Sequence, residues 1–157
     1  MLPSNVCTRS KTNKVEYGRG NVVPNNMQKT LLAYAATTLV MVAIDLVWLG
    51  WIAKPLYQQG IGHLMAAEPK LAAAALFYLL FPVGLMVFAV VPGASMSWGN
   101  TAIKAALFGF FAYATYDLTN LATLKNWPIS LALIDMAWGT AVSAIAALAG
   151  RWAYQAA

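Results

Sequence analysis

The chain has 157 residues, 61% of them hydrophobic and only 10% charged, where a soluble globular domain carries about 25% charged residues. That shortage of water-facing side chains excludes an ordinary soluble domain and points to a single all-α integral membrane domain. The formal charge is +5, but half of the ten basic residues (Arg9, Lys11, Lys14, Arg19 and Lys29) sit at the N-terminal end. No nucleic-acid-binding pattern accompanies them, so nucleic acid is not an expected partner. They read as a flank that stays on the cytoplasmic side.

Residues 1–26 are polar, lack helical periodicity and are expected to be a disordered basic tail. Met27, at the head of the first apolar run, is a candidate physiological start. The lone cysteine, Cys7, lies in this tail and has no partner for an internal disulfide. The domain proper is expected over 27–157, as a four-helix transmembrane bundle with helices at about 28–52, 71–91, 101–124 and 128–151. Each run holds at least about 20 residues, enough to cross the hydrocarbon. The first run is too long for a signal-peptide core and is read as uncleaved. Pro69 and Pro128 are placed in first turns, Pro92-Gly93 ends the second helix, and Pro82 predicts a kink inside it. Between the first two helices, Leu56, Tyr57, Ile61, Leu64 and Met65 suggest a short interfacial helix, which Gly60 and Gly62 would interrupt.

With the N-terminus inside, the inner side carries seven Lys and Arg and the outer side three (Lys54, Lys70 and Lys125). This favours an N-in, C-in protein of the bacterial inner membrane. Without the residues before Met27 the count becomes three against three.

Three of the five acidic residues fall inside apolar runs: Asp45, Asp117 and Asp135. A carboxylate at mid-helix costs about 2.5–3.5 kcal/mol on insertion scales, so such residues face a bundle interior. Asp45 lies seven residues before Ile52, Asp117 seven before Leu124 and Asp135 seven after Pro128. Helices one and three end on the same face and helix four starts there, which places all three aspartates about 10 Å below one surface. Tyr78 falls at a similar level. Polar and aromatic residues recur with helical spacing around each aspartate: Tyr34, Thr38 and Trp48; Tyr113, Tyr116, Asn120 and Thr123; Trp138, Gly139 and Ser143. Three such stripes must converge, and small residues such as Ala105, Gly109, Gly139 and Ser143 allow close helix approach.

Two uses fit such a layer. One is a hydrogen-bonded lock that fixes helix register, as in an accessory subunit of a membrane complex. The other is a shallow pocket for a small lipophilic molecule. There Asp45, Asp117 and Asp135 are candidate acid/base groups, with Tyr116 and Asn120 orienting and Tyr78, Tyr113, Trp48, Trp138 and His63 as candidate ligand contacts. Proton-coupled transport would require a homodimer, because four helices are few for a transporter. His63, the sole histidine, is either an interfacial residue or a lid above the layer. No spacing suited to a metal is present, and no Gly-rich phosphate loop, HExxH, CxxC or nucleophile elbow occurs. No cofactor, metal or reaction is therefore expected from motifs. Trp51, Trp98, Trp127 and Trp152 read as an aromatic belt.

The segments AIDLVWLG, LYQQGIGHLMAAEP, LFYLLFPVGL, YATYDLTNLATLKNWP and IDMAWGT resemble the domain of unknown function 2177 family, uncharacterised small bacterial membrane proteins. The resemblance runs from Met27 onward and is most specific at YDLTNLATLKNWP. It implies a four-helix integral membrane protein and brings no activity. The N-terminal extension departs from the family's usual form.

Overall fold

The computed structural model describes residues 26–157. Expectations for the tail before Asn26 lie outside the described residues, and Asn26 itself, grouped with that tail, opens the first helix. Among the described residues all regular structure is helical, the form in which a segment satisfies its backbone N–H and C=O groups without water.

Helix α1 (Asn26–Val47) runs directly into a π-helical turn over Trp48–Ile52. Helix α2 (Lys54–Ile61) follows with Pro55 in its first turn and ends in a 3₁₀ turn at Gly62–Leu64. Gly60 therefore stays inside α2, contrary to the expected interruption, and its missing Cβ lets the helix come close to Pro128. Helix α3 (Leu71–Leu85) widens into a second π-helical stretch, Met86–Val90, and closes with the short α4, Val91–Gly93. Pro69 sits ahead of α3 rather than in its first turn. Pro128, with φ −76° and ψ 128°, is the extended residue just before α6. Helix α5 (Trp98–Thr123) starts earlier than its apolar pattern because the Ser97 side chain accepts a hydrogen bond from Asn100 N at 3.2 Å and caps it. Helix α6 (Ile129–Ala156) extends past Arg151. The tight α5–α6 turn passes through Asn126 at φ 60°, a left-handed conformation that asparagine tolerates.

Three helical runs are long and apolar enough to cross a membrane: Asn26–Ile52, Leu71–Gly93 and Ile129–Ala156. Helix α5 has the length but not the hydropathy, since Lys104, Asp117 and a run of Tyr, Thr and Asn residues dilute its apolar content.

Helix α6 is the centre of the packing, with ten buried residues among its 28, against four of 22 in α1. Its contact with α5 is close because both sides are small. A Cβ on Gly109 would overlap the Gly139 carbonyl and the Ser143 hydroxyl, and one on Gly139 would overlap the Tyr113 ring. The main core joins Met41, Leu85, Met86, Val90 and Val142. A second cluster of Ile61, Trp127, Leu131 and Ala132, with Tyr57 and Leu121 against it, docks α2 onto the start of α6. Outward faces are apolar: Leu39, Leu80, Phe111 and Leu133 are each at least 60% exposed. That pattern inverts the usual soluble surface.

Pro82 removes one backbone donor from α3. Three residues before Pro82 the Tyr34 hydroxyl of α1 donates to Leu79 O at 3.0 Å, a side-chain tie between α1 and α3.

Candidate functional site

The three aspartates are buried, at 3%, 0% and 2% exposure for Asp45, Asp117 and Asp135. Each comes from a different helix, and all three act electrostatically on one hydroxyl, that of Tyr113 on α5. No lysine or arginine among the described residues acts on any of the three.

Asp45 accepts a hydrogen bond from Trp138 Nε1 at 2.9 Å, joining α1 to α6. The Trp48 ring lies flat on Trp138, with centroids 4.2 Å apart and planes 5° apart. Trp48 opens the π-helical turn, a local widening of the helix that often accompanies functional sites. The Tyr78 hydroxyl of α3 lies within reach of the same carboxylate.

Asp135 accepts a hydrogen bond from the Tyr57 hydroxyl of α2. Burial first, and then this bond to the carboxylate, push the Tyr57 phenol well above its ordinary pKa, so Tyr57 remains a donor. Sequence reasoning treated Tyr57 only as part of an apolar face. The available signal was its i, i+4 relation to Ile61, which places both on the side of α2 that docks onto α6.

Asp117 differs from the other two. Its side chain is fully buried and neither oxygen has a hydrogen-bond partner. The Trp127 indole is within reach, but it stands outside bonding geometry and its Nε1 is also unpaired. A hydrogen-bonded lock would pair every aspartate of the layer, and Asp117 is not paired. Trp127 also leaves the expected aromatic belt: the α5–α6 turn folds it inward to 7% exposure, edge-on to Tyr116 at 5.8 Å. Trp51 and Trp152 stay outward, at 82% and 66%.

A cavity of about 250 Å³ opens onto Asp45, walled by Trp48, Tyr57, Tyr78, Tyr113 and Trp138. A second, largely apolar cavity of about 500 Å³ shares Leu49, Phe77 and Tyr113 with the first and continues along Phe81 and Tyr116. Of the residues singled out from sequence, Asp45, Trp48, Tyr78, Tyr113 and Trp138 thus surround one space. Tyr116 lines the neighbouring one. Asn120 is half-buried and lines neither, and exposed His63 sits on the 3₁₀ turn and lines neither. Among the described residues no group of three or more His, Cys, Asp or Glu is arranged to hold a metal ion.

A further buried polar group lies away from the aspartates. Arg151, placed by sequence at the end of the fourth helix and counted only among the inner-side charges, is 3% exposed. It donates to Ser97 O at 2.6 Å, to Thr101 Oγ1 at 2.8 Å and to Met96 O, and its guanidinium covers the Trp98 ring at 4.5 Å. It ties the end of α6 to the loop before α5.

Residues 30–152 match the family model described as "Predicted membrane protein (DUF2177)". No curated protein and no solved structure gives a match. The chain belongs to that family of predicted membrane proteins.

Proposed function

We propose that this member of the DUF2177 family binds a small membrane-soluble molecule at its aspartate layer, with Asp45, Asp117 and Asp135 as the acid/base groups of the site. The cavity beside Asp45 carries this reading. A register lock would leave the layer closed and paired, whereas here one carboxylate borders open space and another is buried without a partner. Membrane ligand sites form between bundled helices, where a few polar groups converge among aromatic walls. The test is mass spectrometry of lipid extracts from cells with and without the protein. The reading expects at least one species whose level changes with the wild type and not with Ala74→Phe, a substitution that fills the cavity from α3. Identical extracts in all three strains would refute it.

The lock reading keeps one specific support. The Trp138–Asp45 and Tyr57–Asp135 bonds each cross between elements and would fix their register whatever the cavity holds.

We place all four long helices across the bacterial inner membrane, N-in and C-in, with the bilayer as the protein's first partner and a second copy of the chain as its second. Helix α5 is the fourth span. Its 26 residues reach about 39 Å, and its outward face carries Ile103, Leu107, Phe111 and Leu118. The hydroxyls of Thr115, Thr119 and Thr123 each donate to the carbonyl one turn back, at 2.6–2.7 Å. They need no water. In a Cys7→Ser background, a cysteine at Ser95 should resist a membrane-impermeant thiol reagent applied to intact cells, and one at Lys125 should react. Equal labelling of both would remove α5 from the spanning set, and the reverse pattern would invert the orientation.

A further inference from the structure

Resting on the ligand-site reading above, we infer that the site selects an amphipathic organic cation: an ammonium head held beside Asp45, with an apolar body in the adjoining groove. Three features of the two cavities lead there. The smaller cavity is an aromatic box. Trp48 and Trp138 form one stacked wall, and Tyr57, Tyr78 and Tyr113 contribute further rings. Aromatic faces present negative potential and attract ammonium groups, quaternary ones above all.

The second feature is charge. The box contains the Asp45 carboxylate, Asp135 stands behind Tyr57, and no basic side chain among the described residues acts on either. An anionic ligand would meet the Asp45 carboxylate among aromatic walls with no compensating cation. A neutral one would leave the Asp45 carboxylate with only the single indole bond and its reach to Tyr78. A cation answers both the carboxylate and the rings.

The third is shape. The box is too small for a lipophilic molecule as a whole, but it shares Leu49, Phe77 and Tyr113 with the larger groove, whose remaining walls are mostly apolar. A compact charged head and an apolar tail would occupy the two spaces together. The same ammonium chemistry occurs in free lipophilic amines and in choline or ethanolamine lipid headgroups.

The probe is octyltrimethylammonium, titrated by calorimetry into the full chain in maltoside detergent, beside its neutral counterpart carrying tert-butyl in place of trimethylammonium. The ammonium compound is expected to bind at least about tenfold more tightly than the neutral one. Asp45→Asn should remove most of that preference, and Ala74→Phe should weaken both compounds. Equal binding of the two probes, with Ala74→Phe weakening both, would overturn the cation preference while leaving a ligand site in place. Equal binding that Ala74→Phe does not change would overturn the cavity as a site altogether. Repeating the titration in phosphatidylglycerol and phosphatidylcholine nanodiscs separates the sources. Loss of ammonium binding only in phosphatidylcholine identifies a lipid headgroup as the occupant, and unchanged binding identifies a free amine.

Discussion

Asp45→Leu is expected to lower thermal stability in detergent, and Asp117→Leu to leave it unchanged or raise it. The two substitutions look alike on paper, since each removes a buried carboxylate from an apolar helix. Their surroundings decide the sign. Asp45 accepts from Trp138 Nε1, so its removal strands an indole donor between α1 and α6. Leaving a buried donor unpaired costs about 1–3 kcal/mol. Asp117 has no such partner, and replacing an unpaired buried carboxylate by an apolar side chain of similar size removes a desolvation cost instead. Fluorimetric melting of the two variants checks this. A loss at Asp117→Leu equal to that at Asp45→Leu would mean that Asp117 is held by a bond equivalent to the Asp45–Trp138 one. A stable Asp117→Leu that abolishes the extract species described above would instead mark Asp117 as a group kept for binding or chemistry.

The second large effect is expected at Arg151. Its guanidinium serves Met96 O, Ser97 O and Thr101 Oγ1 together and lies on Trp98. Arg151→Leu leaves those acceptors unpaired at the α5 end of the bundle, and hydrogen bonds to charged groups contribute about 1.5–3 kcal/mol each. A loss of about 3 kcal/mol or more follows, seen as a large fall in melting temperature. Lysine should rescue little of it, because an ammonium cannot reproduce the planar fork that reaches several acceptors at once. Full stability of Arg151→Leu would show that the α6–loop tie contributes nothing.

The sequence carried the membrane class, the helical runs and the burial of the aspartates, because each follows from hydropathy and helical rise alone. Asp45, Asp117 and Asp135 stand at equal distances from run ends, and 1.5 Å per residue converts that to depth without tertiary information. Partners could not be read in the same way. Trp138 and Trp127 are both tryptophans near polar residues, yet one donates to a carboxylate and the other, next to the left-handed turn at Asn126, has its Nε1 unpaired. Tyr57 was hidden for a related reason. Its helix is short, and only its docking through Ile61 brings the phenol over Asp135. Arg151 read only as an inner-side charge at a helix end because positive-inside counting weighs charge by position and not by burial. The Gly109–Gly139–Ser143 contact, by contrast, was legible as small residues on converging stripes.

The central claim is that the space beside Asp45 is a binding site rather than a packing gap. Native mass spectrometry of the detergent-purified protein tests it most directly. Wild type should retain a bound small molecule that Ala74→Phe, equally folded by its melting profile, has lost. Apo mass alone in wild type, or the same adduct on both proteins, would contradict it.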